Sequence, residues 1–342
     1  MKTNQAGVVL LEHVTKYFDQ RRPVSLWKRE HSRIYALNDV SFTLHRGEFA
    51  AYAGPNGAGK STTFKLLAGL LRAQQGQVKI FGADPCVKRI EVMRRTGVLF
   101  GNRSELWWDH PVRASFEWKK AVWDIPDGVY RTNVKRLKEL LDLEPLWNTF
   151  SRELSLGQRM RADLALTLLH APELVLLDEP TLGLDVLAKR RMIDFLKLAN
   201  QELGVTLMVT SHDMDDLAEM ANRLLLINRG RLAFDGSYDA LLRMTGDHRL
   251  VRLTTSAESP VPEGLTLVDR SGDRFTYRYD GTKIPSPHLF TLLAGIPGIR
   301  DIQMEPENIE TVIAGLYRKW ISEGETAKQG EGIGLPSSGP SM

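Results

Sequence analysis

The stretch GPNGAGKST, Gly54–Thr62, satisfies the pattern G-x-x-x-x-G-K-[ST] in full. The preceding EFAAYA reads as a strand, and the residues after it place Phe64, Leu67, Ala68 and Leu71 at helical spacing. A glycine-rich turn between strand and helix lets backbone N–H groups curl around an anion, and the helix N-terminus adds partial positive charge. The expected phosphate cradle is therefore Gly54, Pro55, Asn56, Gly57, Ala58, Gly59, Lys60, Ser61 and Thr62. Lys60 is expected to reach the β- and γ-phosphates, and Ser61 to ligate Mg²⁺. An ordinary Gly-rich turn is the competing reading, and the flanking strand and helix argue against it.

Further along, LVLLDEPT sets Asp178 and Glu179 at the end of an apolar strand. Asp178 suits a metal, held directly or through water. Glu179 suits a general base that polarises an attacking water. TLMVTSHD ends another strand at His212, which is expected to hydrogen-bond the γ-phosphate and the water. Solvated turn carboxylates and a capping histidine are the bland readings. A P-loop in the same chain favours the chemical ones.

Composition limits the alternatives. The 342 residues suffice for one large domain and one small one. A net charge of +3 gives no reason to expect nucleic acid as a partner. The single cysteine, Cys86, excludes an internal disulfide, fits a reducing cytoplasm and reads as an inert thiol. No apolar run approaches the roughly 18 residues of a membrane span. The apolar stretch near the N-terminus is too short for a signal peptide. The expectation is a protein that does not cross a membrane by itself.

Between the P-loop and LVLLDEPT sits ELSLGQRMRADLAL, Glu153 to Leu166. With it, the chain over about residues 8–245 resembles the ATP-binding subunits of ABC transporters. LSLGQ at 154–158 looks like that family's signature, and GPNGAGKST, LVLLDEPT, the GLD at 183–185 and His212 follow the family's order. The resemblance implies an α/β fold: a P-loop NTPase core with an antiparallel β subdomain and a helical insert. It implies ATP and Mg²⁺ as ligands and two such domains dimerised head to tail. Ser155 and the amide of Gly157 would face the γ-phosphate bound by the other subunit, at the start of a helix near Gln158, with Asp185 at the same interface. The partners implied are an integral membrane permease and a second ATPase subunit, as a homodimer. The place implied is the cytoplasmic face of the membrane.

The family's adenine-stacking ring falls in VTKYFD, on Phe18 with Tyr17 as the alternative. Two positions depart from the pattern. Leu156 stands where the signature usually has glycine, and its freedom at positive φ is lost. Asn102 stands at the family's glutamine, one methylene shorter, and is expected to contact Mg²⁺ or a water.

Residues about 103–171 read as the helical insert, with their lysines and arginines on solvated faces. DQRRPVSLWKREHSR, 19–33, reads as a solvated loop; its five Lys/Arg and Trp27 also suit anionic lipid or a partner surface. The expected domains are an ATPase at 1–244, a small α+β domain at 245–322, and a disordered tail at 323–342 rich in Gly, Ser and Pro. That C-terminal domain is similar to those of export-type members. FGNRSELWWDHP carries adjacent indoles, Trp107 and Trp108. They either face the permease or fold back on the insert beside Trp118 and Trp123. The rival functions are a soluble ABC protein acting on ribosomes or DNA, and an ATP-binding regulator without turnover. One cassette without sustained heptads counts against the first. Glu179 and His212 count against the second.

Overall fold

The structure, a computed structural model, describes residues 7–25, 28–101, 103–211, 213–245, 248–256, 261–306 and 313. The chain divides into two units, Met1–Tyr238 and Asp239–Met342. Trp27 lies outside the described residues, as does the tail.

The first unit opens with two long strands, β1 (Gly7–Ser25) and β2 (Lys28–His45), then β3 (Phe49–Ala53), α1 (Lys60–Leu67) and β4 (Gln75–Ile80). There follow α2 (Arg89–Met93), β5 (Thr96–Phe100), α3 (Val112–Val122), α4 (Asp127–Leu140), α5 (Leu156–Leu168) and β6 (Leu174–Asp178). It closes with α6 (Val186–Leu203), β7 (Thr206–Ser211), α7 (Met214–Met220), β8 (Arg223–Asn228) and β9 (Arg231–Gly236).

A six-stranded sheet in the order β5-β6-β7-β3-β8-β9 forms the centre of this unit. The first five strands run parallel, and β9 returns antiparallel. FAAYA and TLMVTS are buried at every residue, which is why they read as continuous rather than alternating runs. The turn into β9 places Arg229 and Gly230 both at positive φ, 46° and 77°, as a two-residue hairpin of matching twist requires. A second, antiparallel sheet has the order β2-β1-β4.

Two local expectations are corrected here. The segment 19–33 is not a solvated loop. Pairing between β1 and β2 continues from Asp19↔Arg33 to Ser25↔Lys28, well past the end of β4's pairing at Thr15. The segment's polar residues hid the strands, although cross-strand register, including an Asp19–Arg33 ion pair, accommodates them. The helix after the P-loop ends at Leu67, so Leu71 lies beyond it; Gly69 at φ 64° turns the chain away.

The stretch 103–171 holds α3, α4 and α5. Its cations do not all face solvent. Lys119 on α3 is buried, its ammonium 2.6 Å from the carboxylate of Glu105. Asp163 on α5 is buried as well, and one carboxylate oxygen accepts from Ser104 Oγ and from the Glu105 N–H, both at 2.9 Å. The indoles have different neighbours. Trp107 packs against His110 and Trp118, at ring separations of 5.2 and 5.4 Å. Trp108 lies under the Arg159 guanidinium and is 56% exposed. Trp123 stacks on His170 instead.

In the second unit, α8 (Tyr238–Thr245) leads into β10 (His248–Thr255), followed by β11 (Thr266–Ser271), β12 (Arg274–Asp280), α9 (Ser286–Ala294) and β13 (Ile299–Pro306). The strands form an antiparallel sheet in the order β11-β12-β10-β13. Alternate residues Val251 and Leu253, and Phe275, Tyr277 and Tyr279, join Leu289 and Leu293 in its core.

Burial pushes the Asp163 carboxyl up to about 6, against the opposing hydrogen bonds from Ser104 and Glu105. The folded protein thus holds this proton more tightly than the unfolded chain. Its stabilising contribution is present at low pH and is lost as pH rises through about 6. Asp163→Asn removes that dependence. Denaturant unfolding at pH 5 and pH 7.5 is expected to show the variant gaining roughly 1–1.5 kcal/mol on the wild type across the interval.

Candidate nucleotide site

The P-loop follows β3 at the C-terminal edge of the parallel strands. Its first glycine is seated against β8: a Cβ on Gly54 would stand 2.2 Å from the Ile227 carbonyl oxygen. At Gly59, φ is 118° and a Cβ would stand 2.5 Å from the Ala36 carbonyl oxygen. Both positions exclude a side chain. Beneath the loop, the buried Tyr52 hydroxyl hydrogen-bonds Thr63 Oγ1 at 3.0 Å, and Thr63 in turn donates to the Gly59 carbonyl. The Gly230 N–H reaches the Ala58 carbonyl at 2.9 Å.

Lys60 Nζ donates to the Gly54 carbonyl at 2.6 Å. Burial lowers its pKa below the usual lysine range, while Glu179 and Asp178 act in the opposite direction. Ser61 Oγ donates to one oxygen of Asp178 at 3.2 Å. The other oxygen accepts from Thr210 Oγ1 at 2.6 Å. The same Thr210 hydroxyl accepts from the Glu179 N–H at 3.0 Å. Glu179 is held at φ 55°, a left-handed conformation that a non-glycine residue adopts at a cost. Lys60, Ser61, Asp178 and Glu179 are thus brought together. Thr210 was not singled out in the sequence; its only signal is a hydroxyl two residues before His212 in a buried strand. Strand register puts it opposite Asp178. Asn102 and His212 lie outside the described residues.

The donor set fits a nucleotide-borne Mg²⁺. Ser61 and Asp178 offer hard oxygens beside the Lys60 ammonium. Among the described residues, no group of three or more His, Cys, Asp or Glu is placed to hold a metal by itself.

The signature residues collect elsewhere. Ser155 caps α5 through a capping box: its hydroxyl accepts from the Gln158 N–H, and the Gln158 side chain accepts from the Ser155 N–H. The helix begins at Leu156, two residues before the expected start. Leu156 is not among the residues at positive φ, so the freedom a glycine would bring is not needed there. Gly157 has a packing reason of its own, since a Cβ would stand 2.9 Å from that of Ala188 on α6. Ser155, Gly157 and Gln158 line an open pocket with Asp185, Ala188 and Arg191. Phe18 lies on β1 opposite Ile34, 44% exposed, with Lys16 Nζ 5.2 Å from its ring centre. Tyr17 is flanked by Tyr35 and the Arg33 guanidinium.

Thr210→Val keeps the size of the side chain and removes both hydrogen bonds that align the carboxylates. ATP turnover is expected to fall by about tenfold or more, with nucleotide affinity within about threefold of wild type. Steady-state hydrolysis and equilibrium nucleotide titration check this.

Comparison with known proteins supplies the family. The family model described as "ABC transporter" matches residues 37–182. An ABC transporter ATP-binding protein of Methanosarcina mazei is 37% identical over 249 residues, 69% of this chain and 74% of that one. A protein of Escherichia coli named a probable multidrug ABC transporter ATP-binding protein is 35% identical over 207 residues, 60% of this chain and 35% of that one. A solved ATP-binding cassette, a dimer in a post-hydrolysis state with ADP and Pi, superposes with a TM-score of 0.56 at 25% identity, covering 67% of this chain and 98% of that chain. With its phosphate loop, aligned carboxylate and signature helix on a P-loop NTPase sheet, the chain belongs to the ATP-binding proteins of the ABC transporter family.

Proposed function

We propose that this chain is the ATP-hydrolysing subunit of an export-type transporter. It works at the cytoplasmic face of a membrane with a separate integral membrane permease and closes head to tail on a second copy. The observation that carries the reading is the division of the site. Lys60, Ser61, Asp178 and Thr210 form one linked cluster, whereas Ser155, Gly157 and Gln158 gather with Asp185 and Arg191. A phosphate cradle and an anion-seeking helix end in separate clusters suit a two-fold pair, in which each copy completes the other's site. ATP then favours the closed pair, because only that state makes both sets of contacts.

Mg²⁺, when bound with ATP, neutralises charge on the β- and γ-phosphate oxygens. Ser61 and Asp178 would hold that cation. Lys60 and the loop amides hold the phosphates. Glu179 orients the attacking water and takes its proton. Ser155 and the Gly157 amide reach across from the second copy. By resemblance, His212 and Asn102 face the γ-phosphate and Phe18 stacks on adenine.

The export direction draws on the Escherichia coli relative, named for multidrug transport, and on the resemblance of the C-terminal unit to those of export-type members. Residues 1–244 are read as the ATPase domain, 245–322 as a prop for dimerisation, and 323–342 as a tail. No helix among the described residues is long and apolar enough to cross a membrane, so the reading assigns passage to the permease. Trp107 and Trp108, with 38% and 56% of their surface exposed, are its proposed docking point on this chain.

Glu179→Gln is expected to keep ATP affinity and to lose turnover by about a hundredfold or more, because the water is no longer deprotonated. ATP should then trap a dimer that sedimentation detects. Near-normal turnover in the variant would remove Glu179 from the role assigned to it.

A further inference from the structure

The signature helix does more than present its first turn. Ser155, Arg159 and Asp163 follow one another at four-residue steps and so lie along one side of α5. Asp163 sits about 12 Å from Ser155 along the helix axis. Its carboxylate accepts from Ser104 Oγ and from the Glu105 N–H, and Ser104 Oγ accepts from the Leu106 N–H at 3.2 Å. The segment so held runs directly into Trp107 and Trp108. Its other ties lead to α3: Glu105 pairs with the buried Lys119, and the Trp107 N–H donates to Ser115 Oγ at 2.9 Å. Arg159 adds a second link from α5, with its guanidinium 5.9 Å from the centre of the Trp108 ring. The Arg152 N–H, just before the signature, donates to the Trp108 carbonyl at 3.1 Å.

A buried carboxylate is costly unless its hydrogen bonds are made, so this contact has few alternative arrangements. An apolar residue would fill the same space without tying a loop to a helix. The Ser104 and Glu105 bonds therefore call for an accepting oxygen here.

We infer that Asp163 is a positioning residue that binds the signature helix and the Trp107–Trp108 segment into one mechanical unit, so that ATP-driven closure at Ser155 is delivered to the two indoles. The inference rests on the head-to-tail reading above.

The test uses the full chain carrying Glu179→Gln, with ATP and Mg²⁺ as the probe. Sedimentation reports closure, and tryptophan emission with acrylamide quenching reports the indoles. Subtracting the response of a Trp107→Phe, Trp108→Phe version isolates their signal. The parent should dimerise on ATP and change the quenching of these two indoles. Asp163→Leu should dimerise equally while that change shrinks about threefold or more. Asp163→Asn, which keeps the accepting oxygen, should restore it. Ser104→Ala, a milder change that spares the core, should give a loss in the same direction and serves where Asp163→Leu does not fold. Full indole response in dimeric Asp163→Leu, or in dimeric Ser104→Ala, overturns the inference, as does a dimerising parent whose indoles do not respond. A parent that never dimerises overturns the head-to-tail reading itself, and sedimentation alone identifies that outcome.

Discussion

The nucleotide site depends on how closely one backbone can approach another. Gly54 lies so near the Ile227 carbonyl that no side chain fits between them, and this contact fixes the start of the P-loop against β8. The loop is then held from two further sides, by the Gly230 N–H on the Ala58 carbonyl and by the Tyr52–Thr63–Gly59 chain of hydrogen bonds. A loop tied in this way presents its amides in a fixed arrangement before any phosphate arrives. Stabilisation of charge by donors already in place needs little reorganisation, which is the source of its strength.

The parallel sheet then acts as an alignment device. β3, β6 and β7 end at the same edge, so the P-loop, Asp178 and Thr210 meet there although they are far apart in sequence. In-register pairing of Asp178 with Thr210 lets one hydroxyl orient the Asp178 carboxylate and the Glu179 amide together. Ligand chemistry at the carboxyl ends of parallel strands is the general property of such sheets.

Much of this was legible in the sequence because it is local. The P-loop carries its glycines within one short stretch, and the buried strands are unbroken apolar runs. What stayed hidden depends on distant partners. Thr210 is one hydroxyl in a buried strand until β6 is laid beside it. Asp163 and Lys119 look like the charged faces of amphipathic helices, and only the folding of 103–107 over them explains their burial. The β1–β2 ribbon carries too many polar residues to read as strand. Past Thr15 it shows itself only in the pairing that runs from Asp19↔Arg33 to Ser25↔Lys28. The resemblance implied a phosphate-facing amide at Gly157, whereas its contact with Ala188 required the α5–α6 packing to be seen.

The account's central claim is that a working site takes its P-loop from one copy and its signature from another. Mixing two inactive chains tests this most directly: one carries Lys60→Ala, the other Ser155→Arg. In a mixed head-to-tail pair both damaged parts fall in one site, leaving the other site with an intact Lys60 and an intact Ser155. The account predicts that ATP hydrolysis, absent from either chain alone, returns on mixing towards about a quarter of the wild-type rate. No recovery from folded chains that sediment as mixed dimers would contradict it, and would mean that each copy builds its site alone.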